Sequence, residues 1–317
     1  MKLMRTEDAV GQVLCHDITR IIKGVTKDAV FRKGHVITEE DIPVLLSVGK
    51  DSIYIWEKDD TMLHENEAAE ILYAMCKNKH MHPSDVKEGK IEVIADCDGL
   101  LKVDSEKLKK ANAFGQMMIA SRHGNTPVKK GDKLAGTRII PLVIEKEKMH
   151  KAAAICADGP ILELKEFHKK KVGIITTGNE VYHKRIEDTF TPVIKEKLAE
   201  YDTEVIYHEI FDDNHEKITK GCLTAIEKGA DLVICTGGMS VDPDDKTPLA
   251  IKNTGAEIVS YGAPVLPGAM FLLSYYKNDI PILGLPGCVM YAKRTIFDLV
   301  LPRIMANDKI TAEELAS

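Results

Sequence analysis

The sequence predicts an α/β fold in which a parallel sheet covered by helices forms the second half of the chain. From Val172 onward, short apolar runs typical of buried strands alternate with amphipathic helical segments. The helical segments repeat apolar residues at the helical period, and Gly229 is typical of a helix end. Because strands that alternate with helices favour right-handed crossovers, the sheet is expected to be parallel.

The elements of this half follow in order along the chain. VGIITT, TEVIYHEI and DLVICTGG are predicted strands, and AEIVSYG, MFLLSYY and PILGLPG are three more. TPVIKEKLAEY and HEKITKGCLTAIEKG are predicted helices, with Ile194 and Leu198 on one face of the first and Ile218 on one face of the second. A last helix is predicted from Cys288 to about Met305. Ligands of such sheets bind beyond the carboxyl ends of the strands.

Changes in sequence texture divide the chain into four segments. Residues 1–56 are predicted to be a small β-rich module with one helix, and residues 57–170 an α+β module with a linker. The α/β domain is placed at residues 171–307, and residues 308–317 are expected to be a tail.

Local signals in the first half predict its turns and helix ends. Thr38, followed by three acidic residues, indicates a helix N-cap, and Gly49 indicates the end of that helix. HENEAAEILYAMCKNK is predicted to be a helix. The Asp-Gly pairs at 98–99 and 158–159, each flanked by apolar residues, predict two β-hairpins.

Composition and charge restrict the function classes. Hydrophobic residues make up 44% of the chain, enough for a sizeable core, and no apolar run approaches the roughly 20 residues of a membrane helix. The N-terminus lacks the apolar segment of a secretory signal, so a cytoplasmic location without membrane contact is expected. A net charge of -6 argues against nucleic acid as a partner. The seven cysteines lack CxxC pairs, which favours reduced thiols.

Three loops at the predicted strand ends are rich in glycine and hydroxyl groups. Their sequences are TTGNE at 176–180, TGGMS at 236–240 and LPG at 285–287. Glycine lets a backbone approach a ligand closely, and exposed N–H groups at a helix start attract anions. Each loop alone could be an ordinary turn, but together the three predict a site for a phosphorylated ligand.

Acidic residues occur in or after the same loops. Carboxylates beside a phosphate repel it unless a cation lies between them, and Mg²⁺ binds through a few carboxylates plus substrate phosphates. We therefore expect Mg²⁺ at this site, with helix N-capping as the alternative role for Asp213. The carboxylates are Glu180, Asp212, Asp213, Asp242, Asp244 and Asp245.

The order of VGIITTGNE, RIEDT, FDDNHEKI, VICTGGMSVDPDD and LPG resembles the molybdopterin-binding domain of molybdenum-cofactor biosynthesis proteins. Molybdopterin molybdenumtransferases, gephyrin, molybdopterin adenylyltransferases and the competence-damage-inducible family share this domain. The chain looks closest to the molybdenumtransferase and gephyrin type, with a divergent N-terminal half. The resemblance implies a three-layer parallel-sheet domain that follows the smaller β-rich and α+β modules.

The resemblance also implies ligands and residue roles. The ligand would be molybdopterin or adenylylated molybdopterin, with molybdate as the second substrate and Mg²⁺ as the cofactor. Asp245, Asp213 and Glu180 would be both catalytic residues and Mg²⁺ ligands. The implied pterin-binding residues are Thr177, Gly178, Asp188, Thr189, Thr236, Gly237, Gly238, Ser240, Pro286 and Gly287.

Two functions therefore compete. The first is an enzyme that inserts molybdate into adenylylated molybdopterin and releases AMP, and the second is a carrier, chaperone or sensor that binds the cofactor without turnover. Hydrolysis of pyrophosphate-linked nucleotides, as implied by the competence-damage relatives, is a third possibility. A homo-oligomer is left open.

The chain departs from the family where the family usually has lysine. The lysine-flanked family motif Pro-Gly-Lys-Pro is replaced by LPGAM at 266–270, and the motif Leu-Pro-Gly-Asn-Pro is replaced by LPGCV at 285–289. The missing lysines favour the non-catalytic alternative, whereas the retained carboxylates favour the enzyme. Lys246, Lys293 and Arg294 are candidate replacements, the last two in the first turns of the predicted last helix.

Three further features mark the divergence. Asp242 replaces a usual glycine, and Phe190 replaces a usual asparagine. The last residue is Ser317, so the small C-terminal β-domain of the transferases is expected to be absent.

Two weaker candidates lie outside the motifs. Cys76, His80 and His82 could form a metal site, although a polar loop is the favoured interpretation. Cys288, at a predicted helix start, could have a lowered pKa, although a buried inert thiol is favoured.

Overall fold

A computed structural model divides the chain into two units. In the part of the chain that the structure describes, no helix is long and apolar enough to cross a membrane. The predicted modules do not coincide with these units, and their boundaries remain predictions. The predicted strand end at Trp56 lies outside the described residues. Those residues are 1–22, 26–55, 59–277 and 279–316. Unit 1 comprises 1–96, 103–122 and 131–163, and unit 2 comprises 97–102, 123–130 and 164–317.

Unit 1 combines short antiparallel strands with helices. Its strands are β1 (Lys2–Arg5), β2 (Ile18–Ile22), β3 (Thr26–Phe31), β4 (Ser52–Ile55), β5 (Met62–His64), β6 (Met81–Pro83), β7 (Lys90–Ala95), β9 (Met117–Ser121), β11 (Lys133–Ile139) and β12 (Val143–Glu145). Its helices are α1 (Asp41–Ser47), α2 (Glu65–Cys76), α3 (Ser105–Ala113) and α4 (Lys146–Ala153). Strands β6, β7, β11 and β9 form a four-stranded sheet in that order, with antiparallel neighbours.

Helix α1 begins three residues later than the predicted N-cap. Its N-cap residue is Glu40, and the predicted cap at Thr38 is wrong. A Thr38 cap would accept a hydrogen bond from the helix, but here Thr38 donates. Its backbone N–H and its hydroxyl both donate to the Asp41 carboxylate, at 2.9 Å each.

The two predicted hairpins are also wrong. Strand β7 and the strand after the first Asp-Gly pair, β8 (Gly99–Val103), belong to different sheets. Glycine is needed at Gly99 because a Cβ there would collide with the carbonyl oxygen of Lys165. The second Asp-Gly pair connects a 3₁₀ turn at Ala154–Cys156 to strand β13 (Leu162–Glu166). Asp-Gly pairs favour any tight turn, so they do not show which strand the following strand pairs with.

Unit 2 contains a six-stranded sheet in the order β15-β14-β16-β19-β18-β17. Strands β15, β14, β16 and β19 are parallel neighbours, and β18 is antiparallel to both β17 and β19. The predicted α/β fold is confirmed, with β18 as the one reversed strand of this sheet. The strands are β14 (Lys170–Thr177), β15 (Thr203–Phe211), β16 (Leu232–Thr236), β17 (Glu257–Tyr261), β18 (Leu272–Tyr276) and β19 (Ile280–Leu285). Strand β10 (Thr126–Val128) joins β8 and β13 in a smaller sheet.

Helices cover both faces of the six-stranded sheet. They are α5 (Asn179–Tyr182), α6 (Phe190–Leu198), α7 (His215–Glu227), α8 (Thr247–Asn253), α9 (Ile296–Met305) and α10 (Ala312–Ala316). Successive residues of a strand point to opposite faces, and Ile174 and Ile175 accordingly belong to different cores. The first core includes Ile194 of α6, and the second includes Ile218 of α7 and Ile251 of α8. The predicted three-layer arrangement is therefore confirmed.

The last predicted helix begins too early. Gly287–Met290 is a 3₁₀ turn, and helix α9 starts only at Ile296. Thr295 is its N-cap, and Asp298 completes a capping box by accepting from the Thr295 N–H at 2.7 Å. Lys293 and Arg294 therefore precede the helix, which corrects their predicted place in its first turns.

Candidate functional site

The parallel strands of unit 2 end at the same level of the sheet. Thr176 pairs with Thr236, and Thr236 pairs with Leu285. Thr177 pairs with Phe211 at the end of β15. The loops after these four strands therefore lie side by side at one edge of the sheet, and the predicted convergence of the three glycine-rich loops is confirmed.

Thr177 connects the loops that follow β14 and β16. Its hydroxyl donates to the carbonyl oxygen of Thr236 at 3.1 Å and lies 3.1 Å from the hydroxyl of Thr247. Gly237 and Gly238 have φ values of +85° and +57°. A Cβ at Gly237 would collide with the Thr177 carbonyl oxygen, and one at Gly238 would lie 2.8 Å from the Thr247 hydroxyl. Both positions therefore require glycine for backbone conformation and for space.

One buried hydroxyl at this edge lacks a hydrogen-bond partner. Thr236 is fully buried, and its Oγ1 has no partner among the described residues. Such groups are rare in proteins because leaving one unpaired costs about 1–3 kcal/mol. This hydroxyl lies at the end of β16, next to Gly237.

Carboxylates from three loops interact at the same edge. Burial raises the pKa of Asp213, and the negative charges of Glu180, Asp244 and Asp245 raise it further. The N–H of Asn179, which donates to Asp213 at 3.0 Å, lowers this pKa but does not offset the other effects. A cation placed here would relieve the repulsion between the carboxylates.

The metal-binding capacity of this group is limited. Among the described residues, no three His, Cys, Asp or Glu side chains are arranged to hold a metal ion. Mg²⁺ typically uses one or two carboxylates and completes its coordination with water and substrate oxygens, which this acidic group can accommodate.

Asp213 is not a helix cap. The cap of α7 is Asn214, whose side-chain oxygen accepts from the N–H groups of Glu216 and Lys217 at 2.9 Å and 3.2 Å. The capping alternative for Asp213 is therefore wrong, and its carboxylate instead joins the β14 and β15 loops through Asn179.

Asp188 anchors the start of α6. Its carboxylate accepts from the N–H groups of Phe190 and Thr191 at 3.0 Å each, and from the Thr191 hydroxyl at 2.5 Å. Burial alone would raise the pKa of Asp188, but these hydrogen bonds outweigh it and lower the pKa. Thr189 is the N-cap residue, and its hydroxyl contacts the sulfur of Met290 at 3.7 Å. Ligand contacts by Asp188 and Thr189 remain predictions.

A known protein family matches the segment of the chain that carries these loops. Residues 173–306 match the family model described as "Probable molybdopterin binding domain". This segment of the chain belongs to that domain family. Residues 3–57 match a second model, described as a domain of unknown function. The segment 173–306 is called the molybdopterin-binding domain below.

Curated relatives match the chain only in part. A molybdopterin molybdenumtransferase of Haemophilus influenzae is 30% identical over 186 residues, which cover 56% of this chain and 43% of the relative. A competence-damage inducible protein of Bacillus velezensis is 36% identical over 85 residues, which cover 27% of this chain and 20% of the relative. The matches thus span less than half the length of either relative.

Solved structures also resemble part of the chain. A molybdenum cofactor biosynthesis protein from Corynebacterium diphtheriae has 16% identity and a TM-score of 0.37, and the match covers 47% of this chain and 100% of that one. The molybdopterin biosynthesis enzyme MoaB from Thermus thermophilus has 23% identity and a TM-score of 0.35, over 44% and 98% of the two chains.

Other predicted ligand residues of the molybdopterin-binding domain lie at the same edge. Gly178 has a φ of +138° at the N-cap of α5, and Ser240 is exposed. Pro286 is buried, and Gly287 is exposed at the start of the 3₁₀ turn. Their contacts with a ligand remain predictions.

Three residues to which the sequence analysis assigned no role organise these loops. They are Thr247, which pairs with Thr177; Asn179, which donates to Asp213; and Tyr261, whose hydroxyl donates to the carbonyl oxygen of Met239 at 2.8 Å. Thr247 immediately precedes a proline in the first turn of α8, a helix-start signal that would have identified it.

The weaker candidates behave as structural residues. Burial raises the pKa of Cys76 to about 12, and His82 Nδ1 lies 2.6 Å from Asp96 Oδ1 on the surface. His80 occupies a turn at a φ of +63°, whereas His82 lies in strand β6, so the polar-loop interpretation is right only for His80. Burial also raises the pKa of Cys288, in line with an unreactive thiol.

Proposed function

We propose that the molybdopterin-binding domain binds adenylylated molybdopterin at the strand-end loops and inserts molybdate into it. The observation that carries this proposal is the cradle of Gly237 and Gly238 held against Thr177, beside the unpaired hydroxyl of Thr236. Backbone N–H groups of such glycine-rich turns and nearby hydroxyl groups suit the oxygens of a phosphate.

The chemistry would depend on positioning and charge. The loops would hold the pterin and its phosphate beside the incoming molybdate, which replaces a bimolecular encounter by a bound geometry. Mg²⁺, held by one or two of Glu180, Asp213 and Asp245, would neutralise negative charge on the substrates. Burial, and after it the charges of Glu180, Asp244 and Asp245, raise the pKa of Asp213, so these carboxylates lie close enough to interact with one cation.

A non-catalytic binding protein is the second candidate. It is favoured by Ala269 and Cys288, which stand where the resembling family has charged or polar residues in its Pro-Gly-Lys-Pro and Leu-Pro-Gly-Asn-Pro motifs. Lys293 and Arg294 lie in the loop before α9 rather than in a helix that follows LPG. This position weakens the hypothesis that they replace the missing lysines of the family.

The test is conversion of adenylylated molybdopterin and molybdate to AMP and cofactor. AMP release that requires both molybdate and Mg²⁺ supports the enzyme. Tight pterin binding without AMP release under any metal or molybdate condition would leave only the binding protein. Absence of pterin binding would exclude both functions.

Asp245→Asn should lower the rate of AMP release or the affinity for the ligand in Mg²⁺ by about tenfold to a hundredfold, because one charge-assisted contact contributes about 1.5–3 kcal/mol. The control is Asp202→Asn, since Asp202 is exposed just before β15, at the opposite edge of the sheet. Titration calorimetry with and without EDTA measures the effect. Equal behaviour of Asp245→Asn and wild type in both conditions would show that this carboxylate does not take part in metal binding.

A further inference from the structure

We infer that Lys184 and Arg185 form a binding subsite for a tetrahedral oxyanion, beside the glycine-rich loops. Both side chains line a cavity of about 460 Å³ at the start of α6. The inference rests on the proposed function, because it locates the anionic group of a pterin phosphate or molybdate. Val181, Ile186, Glu187 and Asp188 also line this cavity.

The backbone holds the two cations in a fixed turn. The N–H of Lys184 donates to the carbonyl oxygen of Val181 at 3.0 Å, and the N–H of Arg185 donates to that of Glu180 at 2.8 Å. Lys184 has a φ of +55°, which is uncommon for a residue other than glycine. A turn fixed in this way loses little conformational entropy when a ligand binds. It also attaches the basic pair directly to Glu180, one of the predicted metal residues.

The positive charges of the pair remain available to a ligand. Neither Lys184 nor Arg185 forms an ion pair with any described residue. Asp188, a half-buried carboxylate of the same cavity, already accepts from the N–H groups of Phe190 and Thr191. Glu187 is exposed and is the remaining acidic group of the cavity.

The composition of the cavity matches an oxyanion. The guanidinium of Arg185 can donate two parallel hydrogen bonds to two oxygens of one phosphate or molybdate, and Lys184 adds a point charge. Val181, Ile186 and Ile210 supply apolar surface beside the two cations.

The cavity adjoins the edge where the glycine-rich loops converge. The Asp188 carboxylate lies 3.4 Å from the hydroxyl of Thr176, which precedes Thr177 on β14. The basic pair thus supplies two positive charges close to the site.

The experiment is titration calorimetry of the full chain with inorganic phosphate alone and with molybdate alone. Arg185→Gln and Lys184→Gln should each weaken the affinity by about tenfold, the effect of losing one charge-assisted hydrogen bond. Glu187→Gln should strengthen it, because this substitution removes a negative charge from the same cavity. Lys220→Gln, an exposed substitution on α7, is the matched control and should change nothing.

The outcomes separate the subsite from the proposed function. Failure of wild type to bind either anion, or equal affinity in Arg185→Gln and Lys220→Gln, overturns the subsite. Pterin binding measured on the same variants tests the proposed function independently, since the glycine cradle is intact in all of them. Preference for molybdate over phosphate would identify the substrate oxyanion, and equal affinity would identify a general phosphate subsite. Circular dichroism of each variant confirms that it is folded.

Discussion

Asp308→Ala should lower the free energy of unfolding by about 3–5 kcal/mol, because it removes the anion from a buried ion cluster. Asp308 is 7% exposed and accepts hydrogen bonds from Arg303 at 2.6 Å, Lys165 at 2.6 Å and Lys102 at 2.9 Å. The substitution would leave these three cations close together without their shared partner. Among the described residues, Arg303 would keep its hydrogen bonds to Glu314 and to the Lys309 carbonyl oxygen.

Urea denaturation measures this loss, and an exposed ion pair supplies the control. Lys169 and Asp202 are paired at 4.0 Å with side chains 60% and 76% exposed. Asp202→Ala should therefore change the free energy of unfolding by less than about 1 kcal/mol. A similar small loss for Asp308→Ala would show that the cluster contributes little.

The same cluster should make stability depend on acid. Burial raises the pKa of Asp308, but hydrogen bonds from Lys165, Lys102 and Arg303 outweigh it and lower the pKa from 3.8 to about 2. The folded pKa lies below the unfolded one, so the stabilisation is complete above about pH 4 and is lost as the pH falls through about 2. It amounts to about 2 kcal/mol. Comparison of wild type with Asp308→Ala between pH 6 and pH 2 should show the difference in stability shrinking as the pH falls.

The sheet of unit 2 could be predicted because each strand carries its own signal. VGIITT and DLVICTGG are short, apolar and bounded by glycine, as strands buried on both faces must be. Strand β18 was predicted as a strand from MFLLSYY, but its reversed direction depends on how the chain returns after Tyr261. Direction is a property of the connection rather than of the strand composition.

The pairing in the first half could not be predicted because it depends on distant segments. Residues 97–102 and 123–130 belong to unit 2, although unit 1 residues separate them. An Asp-Gly pair indicates a turn, but the side chains that pair across a sheet decide where the turn leads. Residues 308–317 are predicted to be a tail, yet Asp308 belongs to the ion cluster and α10 follows it.

The residue types of the candidate site could be predicted, but their contacts could not. Glycine at 237 and 238 follows from the TGG motif, whereas the hydroxyl pair of Thr177 and Thr247 joins residues 70 positions apart. The sequence leaves a helix cap and a metal ligand as alternative roles for Asp213. The observed cap at Asn214 excludes the first role, and the second stays a prediction.

Gly238→Val should weaken the binding of molybdopterin by about a hundredfold or more, since strain and displaced contacts of about 1–3 kcal/mol each add at this position. The φ of +57° is unfavourable for a β-branched residue. The added Cβ would lie 2.8 Å from the Thr247 hydroxyl and 3.3 Å from the Thr177 hydroxyl, so the hydroxyl pair that supports the cradle would separate.

A glycine with similar strain but open surroundings separates the two effects. Gly255 has a φ of +83°, and no atom lies within 4 Å of a Cβ placed there. Gly255→Val should therefore lower the melting temperature through backbone strain alone, and the affinity for pterin should stay at the wild-type value. If Gly238→Val is folded and binds pterin as tightly as Gly255→Val, the loop after β16 does not hold the ligand. Reduced affinity in Gly238→Val alone would instead place the ligand against the hydroxyl pair, because that pair is what the valine displaces and what Gly255→Val leaves intact.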